Sequence, residues 1–293
     1  MQAIEIINKS SLPKGCFSCI NGIGSDIGPL ISSHPDIKMI SFTGSTAAGI
    51  NIQELAAKTI KRVSLELGGK SAHIICKGVD LEKAIPNAID QCFINSGQSC
   101  SAPTRLLVPN ESIEDVERIA AKYVKTLVTG NPMDTKTNLG PVVNIKQYKS
   151  IQTHIEAGIN SGYKLISGGL GKPTSCTSGY FIKPTIFSEV PNNSLIAQEE
   201  IFGPVLSIIA YDDINHAVEI TNDSIYGLSS YITCLDENEG LEIAKEIRAG
   251  QTIINKKSRG SAPAPFGGFK MSGNGREHGL FGLEEYLEIK AII

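Results

Sequence analysis

The chain has 293 residues, of which 41% are hydrophobic and 19% charged, with a formal net charge of −3 and a pI near 6.0. This is globular composition with length for about two domains at ~150 residues each, and it excludes a disordered or fibrous chain. The slight acidity gives no general attraction for phosphate backbones or anionic lipid, no segment approaches the ~18 apolar residues of a membrane span, and "MQAIEIINKS" has no leader pattern, so no nucleic-acid or membrane partner and a cytoplasmic location are expected.

From Ile4 onward apolar β-branched runs alternate with amphipathic stretches, the pattern of an α/β fold with a largely parallel sheet. After a short N-terminal helix, "CFSCI" alternates as a strand would; its Cys16 and Cys19 form C-x-x-C, with no second pair to complete a zinc site. "NGIGSDIG", Asn21 to Gly28, follows as a strand-to-helix turn, spaced G-x-G-x-x-x-G. Such glycines let a backbone approach a dinucleotide, but the spacing departs from the tighter fingerprint and a plain turn explains it equally. A strand in "IKMISF" leads into "SFTGSTAAG", where Gly44, Ser45 and Thr46 open a helix whose N-terminus either faces an anion or is simply capped by Ser45 or Thr46. The strand "RVSLEL" runs into "LELGGKS". Its G-K-S suggests a phosphate loop, but that motif needs glycine at position 64, where the chain has Ser64. Glu66 at this strand end has two readings: a general base with a burial-raised pKa, or a carboxylate at an exposed end, which the local sequence favours.

The strand "AHIIC" and the helix "AIPNAIDQCFI" come next, with Cys92 as a packed thiol inside the helix. "FINSGQSCSAP", Phe93 to Pro103, then sets Cys100 among glycine and small polar residues. Locally it is either a nucleophile or an ordinary thiol, and no histidine motif pairs with it. Further on lie the strand "TRLLVP", a helix from Ser112 to Leu127 with a Ser112-x-x-Asp115 capping pattern, a surface loop from Ser167 to Tyr180, and the strand "VLSIIAY". A helix from Ile214 to Asn222 after Asp213, the strands "SSYITC" and "QTIIN", and a long, nearly structureless segment from Lys256 to Gly279 complete the chain. The seven cysteines, an odd number, read as free thiols, and the five histidines never stand at i, i+4, so no metal is implied.

Six blocks in order, "SFTGSTAAG", "LELGGKSA", "FINSGQSCSA", "EEIFGPV", "YGLSS" and "APFGGFKMSGNGREHG", resemble the aldehyde dehydrogenase superfamily from about Leu12 to Ile293. The resemblance implies an α/β, aldehyde dehydrogenase-like fold with a partial Rossmann-type cofactor domain and a parallel α/β catalytic domain. Residues 1–67 would be the rear of the cofactor domain, 68–270 the catalytic domain, and 271–293 a C-terminal return with an oligomerisation strand. It further implies NAD (or NADP) as cofactor and a small aldehyde as substrate. Cys100 would be the nucleophile and Glu66 the base that activates water; relatives that pass the acyl group to coenzyme A generally lack that glutamate. Gly44, Ser45 and Leu67 would lie in the cofactor site, Glu200 on the nicotinamide ribose, Phe202 against the nicotinamide ring, and Phe266 in the aldehyde pocket. "EYLEIKAII" would pair subunits into a homo-oligomer.

The same resemblance implies a family portion ahead of "LPKGC" that is not in this sequence. It carries the first cofactor-domain strands, groups on the adenosine ribose, and a Pro-Trp-Asn block whose Asn is half of the oxyanion hole; this chain has no Trp. One oxyanion donor is worth about 10²–10³ in rate. Two competing readings follow: a catalytically inactive polypeptide complementing a separate N-terminal chain, and a thiol esterase without hydride transfer.

Overall fold

Most of the expected strands form, and they sort into two sheets. The computed structural model describes residues 2–256 and 262–293. The chain begins with α1 (Gln2–Asn8), α2 (Gly24–Ser33), β1 (Met39–Thr43), α3 (Thr46–Ala57) and β2 (Arg62–Glu66). It continues through β3 (Ala72–Ile75), α4 (Leu81–Phe93), β4 (Arg105–Pro109), α5 (Ile113–Val124), α6 (Ile145–Asn160), β5 (Lys164–Ser167) and β6 (Thr185–Ser188). Then come α7 (Leu195–Gln198), β7 (Val205–Tyr211), α8 (Ile214–Asn222), β8 (Tyr226–Gly227), β9 (Ser229–Thr233), α9 (Glu237–Glu246) and β10 (Gln251–Ile254). After the short β11 (Phe269–Lys270) and β12 (Gly273–Asn274), the last element is α10 (Gly279–Glu284).

The larger sheet has the order β10-β9-β3-β4-β7-β6-β5, parallel throughout except for the antiparallel edge strand β5. Helices cover both faces, so its central strands are apolar on both sides. Ile75, Leu106, Val108 and Ile208 meet α4 and α5 through Ile85, Ile89, Val116 and Ile119. Their strand neighbours Ile74, Leu107 and Ile209 face the other way, toward Ile151 and Ile155 of α6, Ala217 of α8 and Ile243 of α9. Ile85, Ala88, Ile89 and Cys92 fall at helical spacing on the buried side of α4, and the four are at most 1% exposed. Truncating one such isoleucine to alanine costs roughly 2–5 kcal/mol. The packed thiol expected at Cys92 is therefore observed.

The smaller sheet is β1-β2-β12. β1 and β2 run parallel, and β12 lies antiparallel on β2, with Gly273 opposite Glu66. Ser45 caps α3, its Oγ accepting from the Ala48 N–H at 3.3 Å. No helix among the described residues is long and apolar enough to cross a membrane.

Several local expectations fail for physical reasons. "CFSCI" is exposed coil: alternation alone makes no strand without a neighbouring strand. The helix expected from Ser112 is α5 and starts at Ile113, and the Ser112 side chain makes no capping bond, because the chain enters through a 3₁₀ turn, Asn110–Ser112, instead of an extended residue. In the segment Lys256 to Gly279, residues 257–261 lie outside the described residues, while β11 and β12 give the remainder ladder pairing. The terminal "EYLEIKAII" is exposed coil after α10 in the single chain.

Candidate active site

Glu66 ends β2, at the carboxyl edge of the small sheet. It is 4% exposed, and neither carboxylate oxygen has a hydrogen-bond partner among the described residues. The exposed strand end favoured by the local sequence is thus overturned: β12, some 200 residues along the chain, closes over it. Burial first, then the negative charge of Glu277, push the Glu66 pKa from 4.5 up to about 8, against a weaker opposing pull from Arg276. A carboxyl that exchanges its proton near pH 8 is poised close to working pH, and its ionised form is a stronger base than an ordinary carboxylate, which suits a general base.

Cys100 sits half-buried in the turn between α4 and β4. That turn carries unusual backbone: Asn95, Ser96 and Gly97 all have positive φ, and a Cβ on Gly97 (φ +72) would collide with the carbonyl of Gly203. Only glycine fits there. The contact brings the Cys100 turn against the loop bearing Glu200 and Phe202, whose backbone is held by Gln147 Nε2 donating to the Ile201 and Phe202 carbonyls at 2.9 and 3.0 Å. Phe202 itself has φ 53, a conformation non-glycine residues rarely adopt. Burial raises the Cys100 thiol pKa, the charge of Glu200 and more weakly that of Glu66 raise it further, and the backbone N–H groups of Ser101 and of Cys100 itself favour the thiolate.

The link between these parts is the run 67–70. The Gly69 N–H donates to Glu200 Oε1 at 3.1 Å. A Cβ on Gly68 would collide with Glu200 Oε2, and one on Gly69 with the Cys100 carbonyl. The Leu67 N–H donates to the Ser272 carbonyl at 2.9 Å, and its side chain packs under Gly49 of α3. The Gly44 N–H donates to the Glu66 carbonyl at 3.0 Å. Phe266 forms a backbone bridge with Glu277, the same residue whose charge acts on Glu66.

Glu66 and Glu200 thus both act electrically on Cys100, with Gly44 bonded to the Glu66 carbonyl, Leu67 and Phe202 in the same two loops, and Phe266 paired with Glu277; Ser45 serves α3 as its cap. Sequence reasoning did not single out Lys70, Arg276 or Glu277, although the quoted blocks contain them. Charged residues beside glycines were their only signal. Beside β1, an open trough of about 790 Å³ runs between α2 and α3, with Ile27, Ile31, Ile40, Phe42 and Ile52 in its lining. Gly24 and Gly28 lie in that lining too, but a Cβ on either would meet open space, so the backbone there does not demand glycine.

The family model described as "Aldehyde dehydrogenase family" matches residues 1–292. A 3-succinoylsemialdehyde-pyridine dehydrogenase from a Pseudomonas species is 47% identical over 289 residues, 99% of this chain and 60% of that protein. Aldehyde dehydrogenase C of Pseudomonas syringae, solved as a mutant with NAD+ and octanal, superposes with a TM-score of 0.96 at 46% identity, over 98% of this chain and 59% of its own. An aldehyde dehydrogenase of Mycobacterium tuberculosis, solved with NAD+, gives 0.92 at 41% identity over 96% and 57%. The chain spans about three fifths of the length of the relatives it matches.

Proposed function

The chain belongs to the aldehyde dehydrogenase family, and from that premise we propose that it oxidises a small aldehyde to the carboxylic acid with NAD, through Cys100 as nucleophile and Glu66 as general base. The observation that carries the reading is Glu66: a buried carboxyl with both oxygens unpartnered and a pKa near working pH, electrically coupled to a thiol in the neighbouring turn. A carboxylate with no structural bond to make is costly to bury unless the site uses it.

The Cys100 thiol loses its proton to solvent and Sγ attacks the aldehyde carbon, a C–S bond forming as the carbonyl π bond opens to an oxyanion; the Ser101 and Cys100 N–H groups that favour the thiolate are the donors available to that charge. When bound, the cofactor supplies the acceptor for the hydride that leaves this carbon. A thioester then remains on Cys100. Glu66 takes a proton from water, the hydroxyl adds to the thioester carbon, the C–S bond breaks, and the acid departs with the thiol restored. Glu200 can accept from the nicotinamide ribose hydroxyls because it is half-buried and held at only one oxygen by Gly69. The apolar trough between α2 and α3 suits the adenosine half, and Phe202 the nicotinamide ring. We assign residues 1–67 to the cofactor side, 68–270 to the catalytic side and 271–293 to the return. The exposed Ile289, Ile292 and Ile293 of that return suit pairing with a second chain.

The test is absorbance of reduced nicotinamide over time, with NAD and a panel of aliphatic and aromatic aldehydes including octanal. Turnover absent from Cys100→Ala, and a stalled thioester in Glu66→Gln, are the expected results. Ester hydrolysis lost in Cys100→Ala, with no nicotinamide reduction by the parent chain, would leave thiol chemistry alone and overturn the dehydrogenase reading.

A further inference from the structure

Tyr231 stands in the middle of β9 and is 1% exposed. A tyrosine hydroxyl buried that deeply needs a partner. Its Oη–H donates to the Ser101 carbonyl at 3.0 Å, reaching from the large sheet to the residue that follows Cys100. The ring that carries this hydroxyl is itself held. His73 on β3 is the residue directly opposite in the parallel ladder, and the two ring centroids lie 5.7 Å apart. His73 is 2% exposed, and its Nε2 lies 2.8 Å from Thr233 Oγ1, two residues beyond Tyr231. Burial drives the His73 pKa down to about 3, so a neutral ring backs the tyrosine.

The bond lands on the turn that carries the thiol. Cys100 and Ser101 are the two central residues of that turn, which the Ala102 N–H closes by donating to the Ser99 carbonyl at 3.0 Å. The Ser101–Ala102 peptide is planar and is bonded at both ends, the N–H to Ser99 and the carbonyl to Tyr231. Its plane cannot rotate without breaking one of the two. On the other side of Ser101, the Cys100 carbonyl lies so near Gly69 that a Cβ there would collide with it. The peptide between Cys100 and Ser101 is thus held at one end by packing on Gly69 and at the other through Tyr231. Its N–H is one of the two that favour the Cys100 thiolate.

We propose that Tyr231, with His73 against its ring, is a positioning residue whose hydroxyl holds the Ser101 carbonyl and so keeps the Ser101 N–H turned toward the Cys100 sulfur. The use of that N–H to an aldehyde oxyanion rests on the functional reading above; the hold on the thiol does not. The bond involves none of the reacting atoms, so its effect is exerted through Ser101. Without the hydroxyl, the buried Ser101 carbonyl loses its donor, the 101–102 peptide turns to find another, and the Ser101 N–H leaves its aim.

The same sheet supplies a matched control. Tyr211, the last residue of β7, is also 1% exposed, and its hydroxyl donates to the Ile75 carbonyl at 2.7 Å. That bond lies at the carboxyl ends of the strands, whereas the Cys100 turn leads into the amino end of β4. Tyr231→Phe and Tyr211→Phe therefore each delete one buried hydroxyl bonded to a backbone carbonyl. Iodoacetamide alkylation of Cys100, read against Cys100→Ala from pH 7 to pH 9, should be roughly tenfold slower in Tyr231→Phe at each pH and unchanged in Tyr211→Phe. Tyr231→4-aminophenylalanine returns an N–H donor and should bring the rate back toward the parent's. Parent-like or faster alkylation in Tyr231→Phe, or an equal slowing in Tyr211→Phe, overturns the proposal. Hydrogen exchange in the parent needs no variant to fold: an Ala102 amide that exchanges as fast as an open loop overturns it too. Alkylation needs neither aldehyde nor NAD, so slowing by Tyr231→Phe in a chain that reduces no NAD would support the proposal and overturn the dehydrogenase reading alone.

Discussion

Replacing Glu66 by glutamine should stabilise the fold while removing the base, and the gain should depend on pH. An acid whose folded midpoint lies above its unfolded one binds its proton more tightly when folded. Its contribution is complete below the unfolded midpoint and is lost as pH rises through the folded one. For Glu66 those limits are 4.5 and about 8. At 1.36 kcal/mol per pH unit the full span is worth about 5 kcal/mol, of which about 3 falls between pH 5.5 and pH 8.5. At roughly 2 °C per kcal/mol for a chain of this size, the Tm advantage of Glu66→Gln should grow by about 6 °C across that window. Because neither Glu66 oxygen is hydrogen-bonded, any cost of the glutamine amide is a constant offset that leaves the slope alone. The assay is thermal unfolding of both proteins at half-unit pH steps, and the difference curve cancels the titrating groups that Glu66 does not influence. Parallel curves would refute the buried, proton-holding carboxyl, and with it the base.

Three further changes test the neighbouring geometry. Gly69→Ala puts a Cβ into the Cys100 carbonyl; a loss of about 1–3 kcal/mol in urea unfolding and an altered rate of Cys100 alkylation are expected. The raised thiol predicts that iodoacetamide modification of Cys100, read against Cys100→Ala, keeps climbing nearly tenfold per pH unit through pH 9; a plateau below pH 8 would contradict it. Glu200→Ala leaves the buried Gly69 N–H without its acceptor, and should cost roughly 1–3 kcal/mol more than Glu200→Gln, which keeps one; equal urea midpoints would tell against the bond.

What could be read along the chain was what neighbours in sequence determine. β3, β4, β7 and β9 are buried on both faces, so apolar residues recur in each with little of the alternation of a half-exposed strand, and the resemblance blocks fell where the site lies. The edge strand β5 and its neighbour β6 escaped notice because four residues each, partnered about 20 residues apart, leave little local pattern. "CFSCI" shows the converse error: it has the alternation and lacks the partner. Glu66 was misjudged for the same reason. Its cover comes from β12 and its charge environment from Arg276 and Glu277, all near the far end of the chain. Cys100 likewise looked ordinary because the groups acting on it are Glu66 and Glu200, 34 and 100 residues away in the sequence.

The position of the site follows from a joint between sheets. β2 belongs to the small sheet and β3 to the large one, and residues 64–76, which span the crossing, are all buried. A buried connection must satisfy its backbone without water. Here the Leu67 N–H finds Ser272, the Gly69 N–H finds the Glu200 side chain, and the Lys70 carbonyl finds Arg105. Two of these three partners are charged side chains, so the crossing draws a carboxylate and a guanidinium into the interior for structural reasons. The glycines at 68 and 69 then let Glu200 and the Cys100 turn approach to contact. Glu66, at the lip of the same crossing, is left buried with no hydrogen-bond partner among the described residues. The groups that close the fold across the joint and the groups proposed to carry the chemistry are thus bound to one another, so a change meant for one function will be felt in the other.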